Sequence, residues 1–374
     1  MMNSFIELGQ PHPPQLGSPE SHPNNRHKRA SRMKIGIVGY QGCGKSTLFE
    51  WLTGTASDPA QAHTSQSAMA PLPDPRVAPL CEIYQPKKIT LASLELVDTP
   101  GLDRSHEGNA ARLGLLREAD CLLMVASSFD GSDPLADLNR FDEDLLLADL
   151  EIVTGRVERL RETVKKPRPD RKEQQEELAA LEPLLTTLEE ATPLREIELT
   201  DPQIKATRAF RLLSRLPRIA VVNVADDDED KGRFEGAGPA GVPLLAVPVG
   251  LELELSRMSD EDRAAFEREM GLEGFDRDSL LRKILAASGQ MIYFTAGEKE
   301  VRTWILPVGG TAVEAAGNIH TDLARGFIRA ETMRSEDLIR LGSEREIKAQ
   351  NLMRQEPKDY VVQDGDVLMI RFSV

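Results

Sequence analysis

Between Gly39 and Ser46 the chain reads G-Y-Q-G-C-G-K-S, which sets Gly39, Gly44, Lys45 and Ser46 at the spacing of a phosphate-binding loop. Glycines at these places let backbone N–H groups turn inward on an anion, and a following helix adds the positive end of its dipole. Lys45 can reach the terminal phosphates of a nucleotide, and the Ser46 hydroxyl can ligate Mg²⁺. Gln41, Gly42, Cys43 and Thr47 complete the stretch expected to touch the ligand. A second group, L-E-L-V-D-T-P-G-L, places Asp98 at a strand end and Gly101 three residues on. A carboxylate there holds the Mg²⁺ shell, and the Gly101 N–H can sense a γ-phosphate and move when it leaves. One strong strand after the phosphate loop, this D-x-x-G points to a switch NTPase rather than a small-molecule kinase.

The third group, V-V-N-V-A-D, puts Asn223, Val224 and Asp226 where a nucleotide base is read. Asn223 can bond a purine edge, but Val224 lacks the lysine stem that would pack over the ring, so base selectivity is expected to be shallow. Capping the next helix is the other use open to this Asn-Asp cluster. The segment between Thr55 and Pro73 should supply a hydroxyl to Mg²⁺; Thr64 is the candidate, Thr55 lying too near the helix end.

These residues need strands to carry them. Short apolar runs recur from Met33 onward, as K-I-G-I-V-G, I-T-L-A-S-L-E-L-V-D, D-C-L-L-M-V-A-S-S, R-I-A-V-V-N-V-A-D and V-P-L-L-A-V-P-V-G. Such runs suit a parallel sheet covered on both faces, so the expected fold is doubly wound α/β. From about Pro134 the pattern changes: Leu146, Leu150, Val153, Val157, Leu160 and Val164 form a heptad seam, and Leu178, Leu181, Leu185 and Leu188 form a second. The two should fold back as an antiparallel helical hairpin, its tip carrying Lys165, Lys166, Arg168, Arg171 and Lys172. It serves either as a packing spacer or as an arm for a large partner. From about Gln290 a smaller α+β module follows, in which Asp364-Gly365-Asp366 between apolar runs signals a β-hairpin. His320 there reads as a structural hydrogen-bonder.

A chain of 374 residues is expected to hold two or three domains. It has no apolar run of the ~18 residues a membrane span needs, and Cys43, Cys81 and Cys121 lack paired spacing. A soluble, cytoplasmic protein is expected, without zinc site or disulfide framework. The net charge of −15 argues against wholesale coating of nucleic acid and leaves room for a local basic patch. Residues 1–32, rich in Pro, Ser, His and Asn, read either as a disordered tail or as sequence preceding a true start at Met33.

The chain resembles the YchF or Obg-like ATPase branch of the Obg-type GTPases nearly throughout from Met33. The stretches that carry the resemblance are Y-F-T-A-G-E-K-E-V-R-T-W, A-A-G-N-I-H-T-D-L-A-R-G-F-I-R-A-E and K-D-Y-V-V-Q-D-G-D-V-L-M-I-R-F-S-V, with P-D-P-R-V at Pro73 to Val77, Q-P-K-K-I, and L-L-L-A-D-L-E-I-V-T-G-R-V-E-R-L. The resemblance implies a P-loop G domain (33–133 and 218–289), a coiled-coil insertion (134–217) and a C-terminal β-grasp-like TGS domain (290–374). It further implies a slow, often ATP-preferring NTPase that associates with ribosomes; Mg²⁺ dependence, a monomer and no membrane or DNA partner are expected alongside. Asp226 stands where the family's N-x-x-E has Glu, leaving ATP and GTP both open. Gly42 and Cys43 replace the Asn-Val of N-V-G-K-S, removing a side chain able to help ligate potassium. Leu102 takes the place of the water-positioning Gln of Ras-like enzymes, and Met124 that of a His in some relatives. No arginine near the loop stands out in the sequence. Two readings follow: a slow NTPase cycling on the ribosome, and a nucleotide-binding scaffold that has lost useful hydrolysis.

Overall fold

The computed structural model describes residues 33–58, 64–105, 109–228, 230–270 and 276–373; the expectations for residues 1–32 lie outside the described residues. β1 (Lys34–Val38) runs into the glycine loop, and α1 (Lys45–Thr53) begins directly after it. β2 (Gln66–Pro71), α2 (Val77–Tyr84), the two-residue β3 (Ile89–Thr90) and β4 (Ser93–Asp98) follow. Next come α3 (Asn109–Leu116), β5 (Cys121–Ser127), the long α4 (Pro134–Thr163) and α5 (Arg171–Glu189), and α6 (Asp201–Thr207). β6 (Arg218–Asn223), β7 (Leu244–Val247), α7 (Val249–Leu255), α8 (Asp260–Met270) and α9 (Arg277–Ala287) come next.

The first sheet has the order β2-β4-β1-β5-β6-β7, parallel except for the antiparallel β2–β4 pair. Every residue of β5 and β6 is buried, which requires cover on both faces. On one face Leu48, Phe49 and Leu52 of α1 and Leu280, Leu281 and Ile284 of α9 pack against Ile35, Ile37, Leu123 and Val125. On the other, Leu113 and Leu116 of α3 and Leu138, Phe141 and Leu145 of α4 meet Val38, Leu122 and Met124. Each such side chain contributes about 1.5–3 kcal/mol relative to exposure, so these two clusters fix the sheet that carries the loops.

The hairpin forms on the expected seam: Leu146, Val153, Val157 and Leu160 of α4 pack against Leu181, Leu185 and Leu188 of α5, joined by Leu184. Asp133 caps α4, accepting from Leu135 N and Ala136 N, with Pro134 at the first helical position. Asp149, fully buried on α4, accepts from Leu213 N (2.9 Å), Ser214 N (2.7 Å) and Arg117 Nη1 (2.9 Å), which ties the hairpin to the approach to β6 and to the end of α3.

The C-terminal residues supply β8 (Gln290–Ala296), β9 (Val301–Pro307), α10 (Ala312–Ile319), α11 (Thr321–Arg325), β10 (Phe327–Arg334), α12 (Ser335–Leu341), α13 (Glu344–Ala349), β11 (Arg354–Glu356) and β12 (Asp366–Phe372). The second sheet runs β11-β10-β12-β8-β9-β3. Its last strand comes from between β2 and β4, so the run I-T-L-A-S-L-E-L-V-D, expected as one strand, is two strands in two sheets. Both halves have strand-forming composition, and tertiary pairing divides them at Leu91 and Ala92. Ala92 N donates to Thr303 Oγ1 (2.6 Å), and Ile89 and Thr90 pair with Val301 and Arg302.

The expected hairpin at Asp364-Gly365-Asp366 does not form. β12 pairs with β10 and β8, and Val361 makes only a bridge to Thr311. The turn is held by side chains instead: Asp364 accepts from Ile292 N, and the buried Asp366 accepts from Tyr360 Oη and Gln363 N. Asp364 also pairs with Arg76 (2.7 Å), whose guanidinium lies 5.1 Å from the Phe294 ring centre and binds Asp74. His320 caps α11 through Nδ1, accepting from Asp322 N, the structural use expected of it. Among the described residues no helix is long and apolar enough to cross a membrane.

Candidate nucleotide-binding site

Gly44 precedes α1 with φ 95°, and a Cβ there would lie 2.3 Å from Asn223 Nδ2; backbone and packing both demand glycine. No side chain caps α1, so its first N–H groups remain open to an anion. Lys45 is buried, its Nζ donating to Tyr40 O (2.8 Å) across the mouth of the loop. A Cβ on Gly101 would stand 3.1 Å from Lys45 Nζ and 2.9 Å from Gln41 Cγ, so the D-x-x-G turn is folded directly onto the loop. Gln41 N donates to Leu102 O and Leu102 N to Gly39 O, closing a backbone bridge between the two motifs.

Ser46 Oγ donates to Asp98 Oδ2 (2.7 Å), and Ser57 Oγ approaches the same oxygen (3.4 Å). Asp98 Oδ1 is buried without a hydrogen-bond partner. Burial raises the Asp98 carboxyl above its ordinary 3.8, opposed by the Ser46 hydrogen bond, the Lys45 charge and the Ser57 hydrogen bond. An unpaired, buried carboxylate oxygen beside two hydroxyls is a hard-oxygen donor set that fits Mg²⁺. Gln41, Gly42, Lys45, Ser46, Asp98 and Gly101 line a cleft of about 360 Å³, and Thr64 is exposed on its wall with Ser57, Asp58 and Gln66. Cys43 is buried behind the loop, its Sγ accepting from Lys45 Nζ (3.9 Å) and its thiol raised by burial, and Thr47 is half-buried on α1.

The base-reading residues divide. Asn223 spends its amide inside the protein, Nδ2 donating to Cys43 O (3.2 Å) and Oδ1 accepting from Val249 N (3.1 Å), so it braces the phosphate loop against the start of α7. Val224 is buried against Val222 and Phe234. Asp226 is exposed, its Oδ1 3.9 Å from where a Gly250 Cβ would stand. Leu102 and Met124 are both buried in the cluster that holds Tyr40.

The sequence reading missed Ser57, which no motif marks, and Arg104. The Arg104 guanidinium lies 5.2 Å from the Tyr40 ring centre and donates to Asp137 of α4 (2.6 Å) and to Ser132 (3.1 Å). An arginine therefore does stand beside the loop, held by the base of the hairpin; its position just past D-x-x-G was the available signal.

A doubly wound sheet with a phosphate loop after β1, a D-x-x-G turn after β4 folded onto it, and a helical hairpin inserted before β6 defines a P-loop nucleoside triphosphatase of the switch type. Residues 34–154 match a family model described as 50S ribosome-binding GTPase, and residues 291–373 match the YchF-GTPase C-terminal model, described as a protein of unknown function. The chain is 34% identical over 363 residues to the ribosome-binding ATPase YchF of Haemophilus influenzae, covering 91% of this chain and 99% of that protein. It is 32% identical over 398 residues to Obg-like ATPase 1 of Oryza sativa subsp. japonica, covering 97% and 98%. The solved YchF GTPase of Schizosaccharomyces pombe superposes with a TM-score of 0.78 at 26% identity, over 92% of this chain and 99% of that one. The chain belongs to the YchF/Obg-like ATPase family.

Proposed function

We propose that the protein is a slow, Mg²⁺-dependent nucleoside triphosphatase that binds ATP or GTP, alternates between two conformations and acts on the ribosome. One observation carries the nucleotide reading: the open N-terminus of α1, the Lys45 ammonium, the Ser46 hydroxyl and an unpaired Asp98 oxygen converge on a single cleft. Phosphate oxygens would rest on the amides of Gly42 to Thr47 and on Lys45. Ser46 would hold Mg²⁺ with Asp98 behind it; bound there, the metal neutralises charge on the β- and γ-phosphates. Asp226 is the exposed acidic group available to a base, and no lysine stem packs over the ring at Val224. ATP and GTP should therefore compete within about an order of magnitude, ~1.4 kcal/mol.

Leu102 and Met124 are buried and apolar, and Arg104 is engaged by Asp137, so none of them activates water. Turnover without a partner should be of the order of 10⁻⁴–10⁻² s⁻¹, the pace of a timer. The relatives' names point to the ribosome, and the exposed Lys165, Lys166, Arg168, Arg171 and Lys172 at the hairpin tip suit ribosomal RNA phosphates. On this reading residues 33–133 and 218–289 form the G domain, 134–217 the insertion and 290–374 a TGS domain, in a cytoplasmic monomer.

Multiple-turnover phosphate release with ATP and GTP in parallel, together with co-sedimentation with ribosomes, tests this. Pelleting should be stronger with a non-hydrolysable triphosphate than with diphosphate and should fall when the hairpin-tip residues are changed to Ala. Nucleotide binding without turnover, and protein that stays in the supernatant at low salt, would make the scaffold the better account. Lys45→Ala should severely weaken nucleotide binding by calorimetry; unchanged affinity would sink the site.

A further inference from the structure

Between α1 and β2, the described residues 56–58 are held against the start of β2 by one side chain. Gln66, the first residue of β2, stands opposite Asp98 in the antiparallel register of β2 and β4. Its amide reaches back over the loop: Nε2 donates to Ala56 O (3.2 Å), and Oε1 accepts from Asp58 N (3.1 Å). The residues on either side of Ser57 are thus pinned by one side chain. Ser57 is half-buried between exposed neighbours, with its hydroxyl turned onto Asp98 Oδ2, the oxygen that Ser46 also uses. Ser46, Asp98 and Ser57 come from three separate segments, and their oxygens converge beside the unpaired Asp98 Oδ1. Mg²⁺ demands near-octahedral oxygen donors at short distance, so a hydroxyl already held at the carboxylate needs little movement to join its shell.

We infer that Ser57 is the switch-segment hydroxyl that closes on Mg²⁺ when triphosphate is bound, and that Gln66 is the positioning residue that holds it there. The inference rests on the Mg²⁺-triphosphate reading above. Release of γ-phosphate loosens the metal, and Ser57 returns to Asp98, so segment 56–58 reports the nucleotide state through one hydroxyl.

Mg²⁺ titrations of a fluorescent, non-hydrolysable ATP analogue read this contact apart from turnover. In Ser57→Ala the Mg²⁺ concentration at half-saturation should rise about tenfold or more, and in Gln66→Ala by up to about tenfold. Affinity measured in EDTA should match wild type in both, which a merely unfolded loop or misfolded protein would not give. Ser57→Thr keeps the hydroxyl and should restore the wild-type titration. Mn²⁺ binding followed by electron paramagnetic resonance, with the same analogue present, should weaken in parallel. A Ser57→Ala titration that overlays wild type, or a larger loss in Thr64→Ala than in Ser57→Ala, overturns the assignment of Ser57. Wild-type binding indifferent to Mg²⁺ would instead overturn the metal reading itself.

Discussion

Asp98 makes the site sensitive to acid. Its carboxyl is raised by burial, so in the metal-free site it takes up a proton at a pH above the ordinary 3.8. Mg²⁺ requires the ionised form, and Mg²⁺-dependent nucleotide binding should therefore begin to fail above that value as pH falls. For folding the sign is opposite: the folded state favours the neutral acid, and this contribution is present below 3.8 and lost as pH rises through the raised value. At neutral pH Asp98→Asn should thus melt no lower than wild type in the absence of nucleotide, while losing Mg²⁺-dependent binding. A variant that melts clearly lower would refute this reading of the burial. Lys45, Ser46, Asp98 and Gly101 were legible from sequence because phosphate chemistry ties them to fixed local spacings. Ser57 and Arg104 were not, since their roles depend on Gln66 and Asp137, partners brought to them only by the fold. Asn223 was visible as a site residue, but its use as a brace for Cys43 O depends on a contact 180 residues away in the chain.

At the scale of elements, the hairpin is joined to the main sheet through Asp149. Asp149→Ala would strand the buried Leu213 and Ser214 amides, while Arg117 keeps the carbonyls of Ala148 and Arg211, with an expected loss of about 2–5 kcal/mol. Urea unfolding measures it directly, and a loss below ~1 kcal/mol would show that the packing of Leu138, Phe141 and Leu145 on the sheet holds the hairpin without Asp149. That seam was readable because heptad spacing is a local pattern that survives any tertiary arrangement. The division of I-T-L-A-S-L-E-L-V-D between two sheets was not, because strand propensity is the same on both sides of Ala92 and only the distant partners differ. The missing hairpin at Asp364 has the same origin: the turn chemistry is present, but Arg76 and Ile292 N claim Asp364 from outside the segment.

In the whole molecule, the stretch between β2 and β4 joins the nucleotide cleft to the second sheet. β2 begins at Gln66 beside the metal site, β4 ends at Asp98 within it, and the residues between them carry Arg76 and β3. Arg76→Ala removes one of these links and should speed hydrogen exchange at Ile292 N–H by roughly tenfold, ~1.4 kcal/mol. It should also narrow any difference in protection of β8 between triphosphate and diphosphate states. Exchange unchanged at Ile292 would mean that Asp364 holds its place without Arg76.

β3 also bears on how the chain avoids sticking to others. An uncovered strand edge is a template on which another chain can pair. The outer edge of β9 from Val301 to Thr303 is covered by residues 87–92, with Val301 N donating to Lys88 O and Lys87 N to Glu298 O. A fragment beginning at Gln290 would leave that edge bare and should self-associate, although it contains five of the sheet's six strands. During synthesis the order is protective: the covering segment precedes the edge by about 210 residues, so by the time β9 is made its cap is already waiting.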